Sequence, residues 1–376
     1  MSDGSQWLAT GAEGINALVH EIESARRSVQ LQTYIFRDDD TGVKVRDTLT
    51  EASKRGVRVR VLVDALGSFS LPDDFFQPLL AAGAQVRRFN PIHLFRLSYR
   101  NHRKALICDR QLAVIGGFNV GDEYAGDGVD RGWRDLGFKV RGLVAAELAL
   151  AFDRMFVLAG QSTRRFARLR PARERMQAGS FPCELLLGGP GAGRNPLKKR
   201  LYADLAKARS IRVVSPYFLP TWPLRRRLMK LARAGGRVQL ILPAKSDVAL
   251  AQHASHALYA RLLRAGVEIH EYQPQVLHAK LVSTDRMAMV GSANFNTRSL
   301  HIDYELVLRL GEDDHVQWAQ DYCDSLLEHS RRIELDQWRR SRTLFDRLRQ
   351  RFCYWIMARL DPLLAGWLWR RWRHKA

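Results

Sequence analysis

The chain repeats its own pattern at a spacing of about 180 residues, and this duplication limits what it can fold into. Four pairs match in the same order, at offsets between 176 and 183 residues, and they are 28–36 with 210–218, 56–63 with 236–243, 79–86 with 262–269, and His102 with His278. A constant order and a nearly constant register predict two copies of one domain. The 376 residues are enough for two domains of ordinary size.

Each copy alternates between two hydrophobic patterns. A run rich in Val and Ile is followed by a helix-period segment, at 41–55 in the first copy and 224–234 in the second, and then by another β-branched run. This alternation predicts an α/β fold with parallel strands and crossover helices. We therefore divide the chain into a first domain (1–160), an arginine- and proline-rich connecting segment (161–199), a second domain (200–330) and a basic, tryptophan-rich C-terminal amphipathic segment (331–376).

Both copies contain the pattern His-x-Lys-x4-Asp. Its members are His102, Lys104 and Asp109 in the first copy and His278, Lys280 and Asp285 in the second. Successive side chains of a strand point to opposite faces, so the histidine and the lysine two positions later lie side by side. The aspartate follows an apolar run, at a polar break that predicts a hairpin turn. We expect both aspartates to brace these turns.

The hairpins return further polar groups to the histidines. The returning strands end at Gly117 and Asn119 in the first copy and at Ser292 and Asn294 in the second. Glycine permits close approach of the backbone, and asparagine offers an amide donor. An imidazole, a fixed cation and neutral donors suit a phosphate oxyanion, which the imidazole attacks or exchanges protons with. These residues therefore predict a phosphate-binding site.

The two histidine patterns resemble the paired HKD motifs of the phospholipase D superfamily. The resemblance implies two pseudo-symmetric phospholipase D-like α/β/α sandwich domains with one active site at their interface. It also implies that one histidine forms a phosphohistidine intermediate and that the other acts as general acid and base. By the same resemblance, the reaction needs no metal or other cofactor. By resemblance His102 is the nucleophile and His278 the acid/base, or the reverse. The residues assigned to the phosphate are Lys104, Lys280, Asn119 and Asn294.

A nucleophilic imidazole needs a partner that anchors its second ring nitrogen. By the same resemblance, Glu305 occupies the position of such a carboxylate in the second copy, and Asp135 is its expected counterpart in the first. The first copy carries an insertion at 123–131, just before Asp135. Asp303 is the alternative to Glu305, and on a strand both side chains would point to the same face.

The formal net charge of +21 predicts attraction to a polyanion, either a nucleic acid or an anionic membrane. An arginine-rich composition without a functional role would produce the same excess. The N-terminal residues show no signal-peptide pattern, and no run of about 18 apolar residues occurs. We therefore expect a protein that lies on a membrane rather than across it.

Several stretches favour a lipid substrate. Those that resemble parts of bacterial cardiolipin synthases are 115–124, 133–135, 215–218 and 290–299. The segment 87–103 interleaves aromatic and basic residues just before the first motif, where it could enter lipid headgroups. The segment 351–376 places four tryptophans among arginines, a combination that favours the bilayer interface. The alternatives for this tail are an amphipathic helix covering the core and stacking on single-stranded nucleic acid.

The resemblance to the short, peripheral type of bacterial cardiolipin synthase, which lacks N-terminal transmembrane helices, implies a phosphatidyltransferase. Such an enzyme makes cardiolipin and glycerol from two phosphatidylglycerol molecules at an anionic phospholipid membrane, with no obligatory nucleic acid. The expected location is peripheral, on the cytoplasmic face of the cell inner membrane. A phospholipase D or nuclease using the same site with water is the alternative. A non-enzymatic binding protein is a third possibility, which the two intact motifs disfavour.

Overall fold

The computed structural model describes residues 4–90, 99–160, 176–180, 182–190 and 195–360. The first half contributes strands β1 (Gln6–Leu8), β2 (Ser28–Thr33), β3 (Arg58–Asp64), β4 (Gln85–Phe89), β5 (Ala105–Cys108), β6 (Leu112–Gly116) and β7 (Gly137–Arg141), and helices α1 (Gly11–Ser24), α2 (Asp40–Lys54), α3 (Gln77–Ala81) and α4 (Leu143–Ala159). A short 3-10 turn spans Asp122–Tyr124.

The second half contributes the remaining elements. Its strands are β8 (Met176–Ser180), β9 (Cys183–Gly188), β10 (Ser210–Val214), β11 (Arg237–Pro243), β12 (Glu268–Tyr272), β13 (Leu281–Thr284), β14 (Ala288–Gly291), β15 (Glu305–Leu310) and β16 (Ser330–Arg332). Its helices are α5 (Pro196–Lys207), α6 (Trp222–Arg233), α7 (Ala249–Leu263), α8 (Thr297–His301), α9 (Asp313–Glu328), α10 (Leu335–Arg340) and α11 (Leu344–Trp355), with a π turn at Ile356–Leu360.

The strands form two sheets with a shared order. The first sheet reads β1-β7-β6-β5-β2-β3-β4, and the second reads β16-β12-β11-β10-β13-β14-β15-β9-β8. From its other edge, the second sheet repeats the first, with β9 through β12 in the places of β1 through β4. The duplication and the α/β class are thus confirmed. Among the named strands the parallel pairs are β2-β3-β4 and β10-β11-β12, whereas each motif hairpin and the strand after it run antiparallel.

The segment expected to connect the two domains contains two strands of the second sheet. β9 pairs with β15 over six residues, as β1 pairs with β7 in the first sheet, and β8 extends that edge. The short apolar run Leu185–Leu187 is buried in the core, although proline and glycine stand close to it in the sequence. The second structural copy therefore begins earlier than residue 200.

Each sheet carries helices on both faces. On the outer faces, α1 and α2 cover the first sheet through residues such as Ile22 and Leu49, and α6 and α7 cover the second through Leu228 and Leu258. Helix α4 contacts strands of both sheets, and α9 contacts the second sheet and also reaches the first through the stacked rings of Trp318 and Trp7, so the two helices form the inner layer. This arrangement is the α/β/α sandwich expected of each half.

One hydrophobic core continues from the first half into the second. It joins Phe138 and Phe152 of the first half with Leu306 and Tyr322 of the second, and all four side chains are buried. Burying a large apolar side chain contributes roughly 1.5–3 kcal/mol, so this shared core holds the sheets in a defined relation. The two motif hairpins lie in these sheets, and the core therefore sets their relative position.

Two expectations fall partly outside the described residues. Of the aromatic and basic loop at 87–103, residues 91–98 are not described, and of the C-terminal segment, residues 361–376 are not described. Within the described part of the chain, every helix is too short or too polar to cross a bilayer.

Candidate active site

Short backbone bridges join the two halves at residues directly before the histidines and the carboxylates. These bridges pair Asn101 with Tyr304 and Arg134 with Leu277. The amide of His102 donates to the carbonyl of Tyr304 at 3.0 Å, and the amide of His278 donates to the carbonyl of Arg134 at 2.7 Å. The two bridges occupy equivalent places in the repeat, so the contact between the halves has the same pseudo-symmetry as the sheets.

Each histidine is bound by the carboxylate of the other half. His102 Nδ1 lies 3.0 and 3.1 Å from the two carboxylate oxygens of Glu305, and His278 Nδ1 lies 2.6 Å from Asp135 Oδ2. In a neutral imidazole whose Nδ1–H donates to a carboxylate, the Nε2 lone pair remains for chemistry. The expected orienting residues are thus brought to the histidines, and the pairing crosses between the copies.

The alternative carboxylate, Asp303, has other partners. It accepts the backbone amide of Arg100 at 3.0 Å and pairs with Arg298 at 3.3 Å. Strand β15 begins only at Glu305, so the alternation that would align Asp303 with it does not extend that far back. Glu305, and not Asp303, is therefore the carboxylate that contacts the His102 ring.

Burial and opposite charge set the protonation of these pairs. Burial lowers the pKa of His102 despite the nearby Glu305 carboxylate, and burial together with Lys280 lowers the pKa of His278 to about 4. Although burial acts against it, His278 holds the pKa of Asp135 below its usual range, and His102 does the same to the pKa of Glu305. Near neutral pH the site therefore holds two ionised carboxylates and two neutral imidazoles.

The motif lysines are buried next to the histidines. Lys104 Nζ donates to the carbonyl of His102 at 2.8 Å, and Lys280 Nζ lies 2.9 Å from His278 Nδ1 and 3.1 Å from Nε2. Burial lowers the pKa of Lys104 to about 7, with the charge of Lys280 adding to the effect, and burial lowers the pKa of Lys280 to about 8. A bound anion would offset the cost of burying the two ammonium groups and would screen their mutual repulsion. Such a site suits the negative charge of a phosphodiester.

The two motif aspartates brace the hairpins. Asp109 adopts φ 54° at the turn and accepts the backbone amides of Arg26, Arg27 and Ser28 at 3.0, 2.7 and 2.8 Å. Asp285 likewise accepts the amide of Arg209 at 3.0 Å. These contacts fasten each turn to the start of β2 or β10. The length of the motif strand separates each aspartate from its histidine, so the contacts of the aspartate hold the strand in position.

Gly117 and Ser292, which were expected at the phosphate, contact the carboxylates. A Cβ atom at Gly117 would lie 2.2 Å from Asp135 Oδ1, and the Ser292 hydroxyl donates to Glu305 Oε2. The repeat therefore uses equivalent positions differently. The first copy makes room for its carboxylate, and the second copy binds its carboxylate with a hydroxyl.

This difference between the copies gives a matched pair of substitutions. We expect Gly117→Ser to lower kcat/KM at least about 100-fold, because the added atoms displace Asp135 from His278. Ser292→Gly should cost about tenfold, because it removes one hydrogen bond to Glu305 and creates no clash. Steady-state kinetics and thermal unfolding of both variants check this order. A Gly117→Ser protein with unchanged kcat/KM would contradict it.

The motif asparagines differ in their contacts. Asn119 Oδ1 accepts the backbone amide of Ile35 at 3.0 Å, which directs its NH2 group away from that amide. The backbone amide of Asn294 donates to Ser299 Oγ at 3.1 Å, and its buried side-chain oxygen has no partner among the described residues. Of these side chains only the NH2 groups can donate to a phosphate oxygen, whereas the Asn294 oxygen is an acceptor and cannot.

Several aromatic residues at the site were not anticipated. The ring of Tyr34 lies 5.2 Å from that of His102, and the rings of Tyr124 and Trp133 lie 5.3 Å from that of His278. Tyr217 donates to Asp247 at 2.8 Å, and at the repeat offset of 182 it matches Ile35, one position after Tyr34. A sequence signal for Tyr34 and Tyr217 was present, since each lies in one of the matched runs 28–36 and 210–218.

A buried ion pair supports the backbone before His102. Asp64 contacts the guanidinium of Arg100 at 3.1 Å and accepts the amide of Asn101 at 2.9 Å. Burial raises the pKa of Asp64 to about 6. Sequence patterns did not single out this group, because its partners lie in a segment without regular periodicity.

The chain is similar to one protein family over most of its length. The family model for cardiolipin synthase, PLD-like domain, matches residues 18–128 and 201–327. Cardiolipin synthase 2 of Bacillus anthracis is 34% identical over 372 residues, which cover 95% of this chain and 70% of the relative. The cardiolipin synthase of Geobacillus kaustophilus is 32% identical over 366 residues, which cover 95% of this chain and 72% of the relative.

Solved structures share the fold. Phosphatidylserine synthase of Haemophilus influenzae aligns with a TM-score of 0.76 and 15% identity, over 97% of this chain and 96% of that one. Polyphosphate kinase of Porphyromonas gingivalis aligns with a TM-score of 0.61 and 12% identity, over 89% of this chain and 48% of that one. At these identities the likeness shows the two-domain architecture alone.

Proposed function

The chain belongs to the cardiolipin synthase family with phospholipase D-like domains, and we propose that its paired site makes cardiolipin and glycerol from two phosphatidylglycerol molecules. The observation that carries the proposal is the reciprocal pairing of His102 with Glu305 and of His278 with Asp135. Two oriented imidazoles at one interface can serve one phosphorus atom as nucleophile and as acid/base. A phosphatidyl transfer needs both roles.

In the proposed first step, the phosphodiester of phosphatidylglycerol binds between Lys104 and Lys280. Nε2 of His102 attacks phosphorus, and the bond from phosphorus to the headgroup glycerol breaks. His278 gives its proton to the departing glycerol oxygen. The free site favours neutral His278, but the negative charge of the substrate raises the pKa of a neighbouring imidazole and favours the protonated form that this step uses.

In the second step, a hydroxyl of another phosphatidylglycerol replaces the histidine on phosphorus. His278, now neutral, takes the proton of that hydroxyl, the new phosphorus–oxygen bond forms, and His102 is released. Water at roughly 55 M competes for the same intermediate, so the acceptor has to be positioned and water partly excluded. The rings of Tyr34, Tyr124 and Trp133 supply apolar walls for this purpose.

The proposed place of action is the surface of an anionic phospholipid membrane, as a peripheral protein on the cytoplasmic face of the inner membrane. The net charge of +21 supports attraction to such a surface. The substrate supports it too, because phosphatidylglycerol with long acyl chains resides in a bilayer. No nucleic acid is required by this chemistry.

The pH dependence follows from the buried lysines. Lysine stabilises a phosphate only when protonated, and the free-site pKa values of about 7 and about 8 lie well below the usual 10.5. We therefore expect kcat/KM to decline as the pH rises through this range, because the lysines lose their charge and because less His278 carries the proton that the first step uses. Lys104→Arg, which keeps its charge, should move the alkaline decline to higher pH. A kcat/KM that rises from pH 7 to pH 9 would contradict this account.

Product analysis tests the proposed function. Purified protein is incubated with vesicles of labelled phosphatidylglycerol, with and without phosphatidylethanolamine, and lipids and glycerol are quantified. Cardiolipin and glycerol in equal amounts are expected, and the double variant His102→Ala/His278→Ala should form neither. Phosphatidic acid as the main product would show that the site hydrolyses phosphatidylglycerol instead of making cardiolipin. Cleavage of single-stranded DNA without any lipid product would indicate a nuclease.

A further inference from the structure

Six arginines surround a cavity that none of the histidine-motif residues lines. It has a volume of about 320 Å³ and lies between helices α7, α10 and α11. We call it the arginine cavity, and its cationic residues are Arg261, Arg264, Arg339, Arg342, Arg347 and Arg351. Arginine presents a planar fork of donors that matches a phosphate group, so six of them form a strongly anion-attracting wall.

In the part of the chain that the structure describes, these arginines have no carboxylate within ion-pair distance. Among the described residues none of the six forms an ion pair, and the nearby carboxylate of Asp346 pairs with Arg349 at 3.1 Å instead. Arg342 stacks on the ring of Trp338, with its guanidinium carbon 3.4 Å from the ring centroid. Asp346 and Glu271 lie close enough to Arg342 to act on its charge, but none of the six arginines has a carboxylate within ion-pair distance among the described residues, and their mutual repulsion favours a bound anion.

A buried donor in the cavity wall points to a ligand as well. Gln350 is only 4% exposed, lines the arginine cavity, and its side-chain NH2 group has no hydrogen-bond partner among the described residues. Buried polar groups in folded proteins are nearly always satisfied. An oxygen-rich anion in the cavity would satisfy this donor together with the arginines.

The helix that contributes Gln350 has an apolar outer face. Helix α11 begins with a capping box formed by Thr343 and Asp346, so its first turn is well defined. Its exposed side chains include Leu344, Phe345, Leu348, Phe352 and Trp355, each more than half exposed. Their spacing places them along one side of the helix, with arginines beside them, as in helices that lie in the bilayer interface.

Helix α11 also adjoins the second motif. Cys353 packs against Leu219, and the amide of Leu219 donates to the carbonyl of Phe295 at 3.1 Å. Phe295 directly follows Asn294 of the second motif. A membrane that contacts α11 would therefore lie near the strand ends that carry the transfer site.

From these observations we propose that the arginine cavity is an accessory site for the phosphodiester of an anionic phospholipid, entered from a bilayer that contacts the apolar face of α11. This site is separate from the transfer site and consumes no substrate. It holds the enzyme on membranes rich in anionic lipid.

The test compares two double variants that remove equal charge. Arg347→Gln/Arg351→Gln alters the arginine cavity, and Arg58→Gln/Arg141→Gln removes two exposed arginines of the first domain. Both are made in a His278→Ala background, so that no lipid is consumed. Binding to vesicles of phosphatidylglycerol and phosphatidylcholine is measured by co-sedimentation at fixed ionic strength. The cavity variant is expected to bind at least about tenfold more weakly than the control variant.

Equal losses in the two double variants would overturn the proposal, since net charge alone would then explain binding. Inorganic phosphate is added in a further arm, with sodium chloride at matched ionic strength as its control. Full displacement of vesicles by inorganic phosphate at low millimolar concentration would also overturn it, in favour of a free-anion site. Phe352→Ser/Trp355→Ser keeps the charges and should weaken vesicle binding, and wild-type binding by this variant would overturn the role of α11.

A separate measurement distinguishes this proposal from the proposed function. The cavity variant with an intact His278 should turn over short-chain phosphatidylglycerol below its micelle concentration at the wild-type rate, because the transfer site is unaltered. Loss of that activity would show that the arginines serve the transfer site and would overturn the accessory role. Formation of other products would contradict the proposed transfer reaction and would not change the outcome of the vesicle-binding comparison.

Discussion

Replacement of either motif histidine by alanine is expected to lower turnover of phosphatidylglycerol by at least about 10,000-fold, because the two imidazoles act as a unit on one phosphorus atom. The rates of His102→Ala and His278→Ala are measured with labelled lipid under single-turnover conditions. His20→Ala is a suitable control, since His20 is exposed on α1. Residual activity above a few per cent in either motif variant would contradict a shared site.

A substrate with a good leaving group separates the two roles. An aryl phosphodiester needs no proton on its departing oxygen, so His278→Ala should still release the aryl alcohol in a stoichiometric burst and accumulate a phosphohistidine. His102→Ala should give neither the burst nor the covalent species. The reverse pattern would exchange the roles of the two histidines and leave the shared site intact.

The second large effect is expected from the carboxylates that orient the rings. Glu305→Gln and Asp135→Asn should each reduce kcat by about 1,000- to 10,000-fold, the scale seen when a catalytic histidine loses its orienting carboxylate. The amide cannot hold the Nδ1–H tautomer, so Nε2 is no longer presented as a base or nucleophile. Steady-state kinetics on folded variants measures the loss.

The crossed pairing has its own signature. Each carboxylate raises the pKa of the histidine that it contacts. Glu305→Gln should therefore lower the pKa of His102 and leave that of His278 unchanged. Asp135→Asn should lower the pKa of His278 and leave that of His102 unchanged. Histidine resonances followed by NMR across pH distinguish the two rings. Asp303→Asn is the matched control and should shift neither resonance. A shift of His102 in that control, with none in Glu305→Gln, would restore Asp303 as the orienting residue.

Internal repetition was enough to predict the architecture. A chain whose apolar pattern recurs in the same order folds twice into the same strand order, because each strand requires the same neighbours to bury its side chains. The hairpin at Asp109 could be predicted for a similar reason, since an apolar run, a polar break and another apolar run leave few other local structures. The structure confirms that turn in its positive φ angles at Asp109 and Arg110.

Local pattern was weaker where an element depends on distant partners. β9 reads as a short apolar run in a proline- and glycine-rich region, and only its pairing with β15 makes it a strand. The positions of Gly117 and Ser292 suggested phosphate contact, whereas their neighbours in space are Asp135 and Glu305. Strand periodicity says which face a side chain occupies, and it does not say which group stands opposite.

The sequence by itself therefore determined the duplicated α/β sandwich, the two motif hairpins and the identity of the histidines and lysines that we propose to act on a phosphate. Only the tertiary structure decided that each imidazole is anchored by the carboxylate of the other copy, and that arginines from three helices converge on one cavity. The physical reason is distance along the chain. His102 and Glu305 are separated by 203 residues, and their contact exists only because a core shared by both halves holds the two sheets together.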